Sequence, residues 1–216
     1  MRNRFDEQLF ELNRELIEMG SMCEEVIASA AKAMSTGDMQ LAGMVKENGI
    51  TIDQLERDIE SRCMKLLLHQ QPVARDLRLI SAALKMITDM ERIGDQAEDI
   101  ADIVTSLNGH TMEGMELIED MARATIEMVT SSVDAFIKKD VELAKKVIAQ
   151  DDVVDDYFSK MKCGIITMIA ENSTDGEFAL DLLMISKYFE RIGDHATNIA
   201  EWVIYSVTGT HKEVSQ

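Results

Sequence analysis

The sequence predicts an all-α protein built as two tandem antiparallel three-helix bundles, the second an internal duplicate of the first. Three observations carry this. Hydrophobic residues make up 46% of the chain but aromatic ones only 5%, so a core must be assembled from Met, Leu, Ile, Val and Ala. There is one proline against 16 methionines, and the β-branched runs bounded by turn residues that mark strands are missing. Finally, the chain repeats itself, and repeats of this length signal stacked supersecondary units.

Glycine, proline and short polar clusters punctuate six periodic segments. The first runs from about Phe5 to Ser35 and ends at Thr36-Gly37. Asp38 is the expected N-cap of the second, which reaches about His69. A Gln70-Gln71-Pro72 corner opens the third, which continues to about Leu107 before Asn108-Gly109. The fourth runs from about Gly114 to Lys138, the fifth from Asp140 to about Ala170, and the sixth from about Gly176 to Val207. Such long segments indicate bundle architecture.

The duplication shows in two places. Gly37-Asp38-Met39-Gln40-Leu41-Ala42 matches Lys139-Asp140-Val141-Glu142-Leu143-Ala144 at an offset of 102 residues. Glu91-Arg92-Ile93-Gly94-Asp95-Gln96-Ala97 matches Glu190-Arg191-Ile192-Gly193-Asp194-His195-Ala196 at an offset of 99. The difference falls in the loop after the second helix, where length changes are tolerated. The expected division is residues 1–108 and 113–210.

Charge narrows the function. The formal net charge is −18, and no basic stripe is present to neutralise phosphates, so nucleic acid is excluded as a partner. Adhesion to anionic lipid is disfavoured for the same reason. No stretch approaches the roughly 20 apolar residues that span a bilayer, and acids occupy the opening where a signal peptide has its apolar run. A cytoplasmic location is expected, with Cys23, Cys63 and Cys163 as free buried thiols.

The candidate site lies in the repeated motif. Glu91, Asp95, Asp99 and Asp102 are spaced i, i+4, i+8 and i+11, and Glu190, Asp194, Asn198 and Glu201 repeat that spacing along one helix face. Like charges at i,i+4 cost about 0.2–0.5 kcal/mol per pair in an isolated helix, and bound cations would offset that cost. Gly94 and Gly193 lie beside the acids, where a mid-helix glycine costs about 0.8–1.0 kcal/mol against alanine. Close approach of a helix or a ligand explains them equally well.

Asp53 on the second helix and Asp155 on the fifth are placed to approach these faces if the helices pack antiparallel. Asp151 adds an i,i+4 partner to Asp155, whereas Gly49 takes its place in the first repeat. All-oxygen ligation suits magnesium, manganese or calcium, and carboxylate-rich sites also take iron or zinc. The competing expectation is that these acids form solvated faces, some paired with Arg92, Arg191 or Lys160. His195 is expected to be a satisfied polar residue, because its counterpart is Gln96. The methionines, Tyr157 and Phe158 are expected to be packing residues, with Trp202 closing one end of the core.

The repeated motifs, the corner Gln71-Pro72-Val73-Ala74-Arg75-Asp76-Leu77-Arg78, the opening Phe5-Asp6-Glu7-Gln8-Leu9 and the later Glu18-Met19-Gly20 together resemble the PhoU family of phosphate-uptake regulators. The resemblance runs from about residue 5 to about residue 207. It implies a PhoU-like fold of two similar three-helix bundles. It also implies an adaptor between a phosphate-importing ABC transporter, notably its nucleotide-binding subunit PstB, and the sensor histidine kinase PhoR. Starvation genes would be held off through that link while phosphate is plentiful, and the membrane reached only through partners. Divalent or trivalent metal ions (iron, zinc, manganese or magnesium) would bind the motif pairs Glu91/Asp95 and Glu190/Asp194, with Asp99 and Asn198 one turn further on. A homodimer is expected.

Asn198 departs from the acid at Asp99, so unequal sites are expected. Two other functions compete with the adaptor. A ferritin-like metal enzyme would use Glu-x-x-His pairs, but none occurs and His195 lies five residues after Glu190. A purely structural scaffold would leave the acidic faces without a ligand. No GxSxG and no phosphate-cradling glycine loop is present, so the chain is not expected to be an enzyme.

Overall fold

The computed structural model describes residues 2–70, 73–108, 116–171 and 176–210, and all six helices lie within them. They are α1 (Arg2–Thr36), α2 (Met39–Gln70), α3 (Ala74–Ser106), α4 (Glu116–Lys138), α5 (Val141–Glu171) and α6 (Gly176–Thr208). No strand occurs among the described residues. The Gln71-Pro72 corner, Gly109, Gly114 and the expected division between the repeats all fall outside the described residues.

The joints between helices follow from local chemistry. The Asp38 carboxylate accepts hydrogen bonds from the backbone N–H groups of Gln40 and Leu41, both at 3.0 Å, and Asp140 does the same for Leu143 at 3.0 Å. Both are N-caps that satisfy otherwise orphaned donors. The residue before each cap turns left-handed: Gly37 at φ 66° and Lys139 at φ 56°. Glycine adopts that conformation freely, whereas lysine does so at a cost.

Each repeat forms its own three-helix bundle, α1–α2–α3 and α4–α5–α6, but the two halves also share a core. α3 packs broadly along α6 and α1 along α4, while α2 touches only α1 and α3 and α5 touches only α4 and α6 among the described residues. Four helices therefore form the centre and α2 and α5 flank it on opposite sides. The buried residues make one continuous apolar cluster, from Leu12, Leu16 and Met19 of α1 through Met86 and Ile93 of α3 to Phe136 and Phe189 of the second repeat. At the α1–α4 crossing, a Cβ on Gly20 would lie 3.0 Å from Val133 Cγ2, so glycine sets how closely these helices approach.

Four fully or nearly buried hydroxyl residues are satisfied within their own helices, whereas the buried Thr197 hydroxyl has no hydrogen-bond partner. Thr125, Ser132, Ser186 and Ser206 donate to carbonyls three or four residues back. Met86, Met90 and Met161 are core residues, and Met168, Tyr157, Phe158 and Trp202 pack partly buried against the core. Cys23 and Cys63 are buried, and burial pushes both thiols up to about 12. Cys163 is exposed on α5, contrary to the expectation for all three, because the long flanking helix turns one face wholly to solvent. No helix among the described residues is long and apolar enough to cross a membrane.

Candidate metal-binding faces

The acids gather on the two outer seams, α2 against α3 and α5 against α6. On the first seam, carboxylate oxygens of Asp53, Glu91 and Asp95 lie within 4.8 Å of one another. Antiparallel packing brings Asp53 across to the i,i+4 pair, as the sequence predicts. This separation and all-oxygen donor set fit a hard or borderline divalent cation. Arg92 borders the group, pairing with Asp95 at 2.8 Å and Glu91 at 3.4 Å from an exposed position, and Arg57 pairs with Asp53 at 3.6 Å. The expectation of arginine-paired acids therefore holds at the rim.

Electrostatics mark the face as short of positive charge. Burial, then Asp95, and to a lesser extent Glu56 and Asp53, hold the Glu91 carboxyl above its ordinary range against the pull of Arg92. Glu56 is raised by burial, Glu60 and Asp53, and Glu98 by burial, Asp95 and Asp53. A cation placed among them would pull these carboxyls back down.

Glu98 and Glu56 belong to this face although the motif spacing does not single out Glu98. Two signals point to it: Glu98 follows Glu91 by seven residues, about 20° short of two full turns, and Gly49 leaves room for it on the neighbouring helix. A Cβ there would lie 1.6 Å from Glu98 Oε1, so the Glu98 carboxylate fills the space above the glycine. In the second repeat the arrangement is exchanged: Asp151 replaces Gly49, and Thr197 replaces Glu98. The acid comes from α5 instead of α3, and the first face is not poorer in acids as Gly49 alone suggests.

On the second seam, Asp151, Asp155, Glu190 and Asp194 face one another. Asp151 is pushed up to about 6, chiefly by burial, then by Asp194, Asp155 and Glu190. Asp194 is raised by burial and by Glu190, against the pull of Lys187. Among the described residues these acids do not converge as the first trio does. Lys187 forms an ion pair with Glu190, whose side chain is only 14% exposed. Lys160 pairs with Asp156 instead.

The glycines of the motif are explained by packing. A Cβ on Gly94 would meet Ile52 at 3.2 Å, and one on Gly193 would meet Asp151 Oδ1 at 3.3 Å and Val154 at 3.4 Å. Ile52 and Val154 are equivalent residues, so both glycines admit the same flanking-helix side chain.

Asp99 and Asn198 are not gathered into the faces. Each i+4 step overshoots a full helical turn by about 40°, so two steps carry a side chain about 80° round the helix. Both residues therefore turn to the α3–α6 seam. Burial, Asp95 and Asp102 hold the Asp99 carboxyl above its ordinary range, while Arg191 and the Tyr188 hydroxyl lie beside it and pull it down. Asn198 Nδ2 donates to Asp89 Oδ1 at 3.2 Å, and His195 Nδ1 bonds to the same oxygen at 2.9 Å. His195 is thus the satisfied polar residue expected. Its counterpart Gln96 is buried with its carbonyl oxygen unbonded. The i+11 step returns nearly to the starting face, and there Asp102 pairs with Lys46 of α2.

The architecture has relatives. Residues 16–104 and 118–203 each match the PhoU domain. The chain is 33% identical to a phosphate-specific transport system accessory protein PhoU homolog of Clostridium acetobutylicum over 99% of both chains. It is 37% identical to an Aquifex aeolicus homolog of the same name, covering 85% of this chain and 84% of that one. The crystal structure of PhoU from Pseudomonas aeruginosa superposes with a TM-score of 0.90 at 35% identity, covering 95% of this chain and all of that one. PhoU from Streptococcus pneumoniae, described as a phosphate transport system regulatory protein, superposes with a TM-score of 0.88 at 26% identity, covering 95% and 98%. Two PhoU domains in one chain, matched over nearly their whole length in sequence and in structure, place this protein in the PhoU family.

Proposed function

We propose that this protein is a cytoplasmic, non-enzymatic accessory protein of phosphate transport, an adaptor that binds a divalent or trivalent metal ion and regulates by protein–protein contact. Its partners would be the nucleotide-binding subunit PstB of a phosphate ABC transporter and the sensor kinase PhoR, with starvation signalling held off while phosphate is plentiful. The names of the relatives support the phosphate-transport role. The convergence of Asp53, Glu91 and Asp95 carries the metal part. A bound cation would supply charge neutralisation there. The chain's own residues do the rest: α2 and α3 hold the three carboxylates at fixed spacing, and Arg92 screens the outer edge.

The layout argues against the ferritin-like enzyme. That class builds its metal centre inside a four-helix core from Glu-x-x-His pairs. Here the acids lie on two separate outer seams, and the flanking helices α2 and α5 do not touch among the described residues.

Metal content of gently purified wild type against the Glu91→Gln/Asp95→Asn double variant tests the metal reading, and unchanged content would refute it. Co-purification from phosphate-replete and phosphate-starved cells tests the adaptor. Recovery of neither transporter nor kinase subunits in either condition would refute that part.

A further inference from the structure

The two faces differ by a coupled pair of exchanges. Where the first repeat has Thr88 on α3 and Glu56 on α2, the second has Lys187 on α6 and Phe158 on α5. The exchange removes an acid and adds a cation. The added cation is also held: the Lys187 ammonium pairs with Glu190 and stands 5.5 Å from the centre of the Phe158 ring. A lysine over an aromatic face with a mostly buried carboxylate partner loses mobility and gains attraction from both. Both side chains are partly exposed, 54% for Arg92 and 43% for Lys187, but Arg92 leaves the three carboxylates of its face converged.

From this geometry we propose that Lys187 is the resident cation of the second face, so that only the first face takes an external divalent ion until Lys187 is removed. The inference rests on the metal reading of the first face but concerns a different residue and seam. It makes the duplicated motif a pair of unlike devices, one open to ions and one whose Glu190 already has a cation of the chain's own.

The test uses the full chain, stripped with chelator and titrated with manganese(II) alone. The wild type should take up manganese through the first face, so that Glu91→Gln weakens uptake at least tenfold and Glu190→Gln leaves it unchanged. Lys187→Thr, which installs the first repeat's residue, should add a second manganese per chain, and Glu190→Gln in that background should remove it. Two equivalent ions in the wild type, one of them lost with Glu190→Gln, would overturn the proposal. So would a Lys187→Thr variant that takes up no more than a manganese-binding wild type.

A metal-free arm separates this proposal from the metal reading of the first face. Without any divalent ion, Lys187→Thr should lower Tm by about 2–4 °C, and Glu190→Gln added to it should restore most of the loss. If the wild type binds no manganese, the metal reading of the first face fails. This rescue then decides whether Lys187 neutralises the second face, and its absence overturns the proposal.

Discussion

Replacing Asp151 by asparagine should stabilise the protein, and do so only above a definite pH. Its carboxyl rises from the ordinary 3.8 to about 6, chiefly because it is partly buried and then because Asp194, Asp155 and Glu190 surround it. The folded protein therefore holds this proton more tightly than the unfolded chain does. Between about pH 4 and pH 6 the native state binds more protons, so stability falls as pH rises through that window and stays low above it. A tenfold difference in proton affinity between the folded and unfolded chain is worth about 1.4 kcal/mol, which sets an upper figure of about 3 kcal/mol. Solvent screening of a partly exposed group removes at least half of that, leaving about 1–1.5 kcal/mol. In a chain of this size the gain corresponds to a rise in Tm of about 3–5 °C. The assay is thermal unfolding in chelator at intervals from pH 4.5 to 7.5, with Asp152→Asn on the exposed side of α5 as the control. Asp151→Asn should exceed wild type at pH 7.5 and converge on it toward pH 4.5. A difference that does not change with pH, or a loss at pH 7.5, would refute the reasoning.

Other perturbations test other parts. Phe189→Ala removes a fully buried ring from the shared core and should cost about 3–5 kcal/mol in chemical denaturation, whereas Phe10→Ala on the surface should stay within about 0.5 kcal/mol. Asp89→Ala removes the acceptor shared by His195 and Asn198, and a loss of about 1–3 kcal/mol is expected in the same assay. Gly49→Ala should gain about 0.8–1.0 kcal/mol of helix propensity only in a Glu98→Thr background. With Glu98 present the new Cβ must first displace its carboxylate, so equal gains in both backgrounds would contradict the packing described.

The helices were legible in the sequence because punctuation is local chemistry. Asp38 and Asp140 cap where their positions indicate, and Gly37 supplies the left-handed turn before the first. The meeting of Asp53 with Glu91 and Asp95 was also legible, since antiparallel packing of successive helices leaves little freedom. The fate of Asp99 and Asn198 was not legible from spacing, because treating i, i+4 and i+8 as one face ignores the accumulated rotation. Their partners Tyr188 and Asp89 lie in the other repeat, and no local pattern couples residues so far apart in the chain. Glu98 was passed over through the same neglect of rotation: seven residues after Glu91, it lies only about 20° from it and so on the same face.

The α3–α6 seam bears on how the duplicated chain arose. Asp89 and Tyr188 are equivalent residues, as are Asp99 and Asn198, so the Asp89–Asn198 contact and the Tyr188–Asp99 contact are two versions of one interaction. In a dimer of identical single-repeat subunits, any substitution would appear at both ends of such a seam at once, and these two versions could never coexist. Joining the halves into one polypeptide removed that constraint. The two ends of the seam are accordingly unlike, one formed by an acid, an amide and an imidazole and the other by a phenol and an acid.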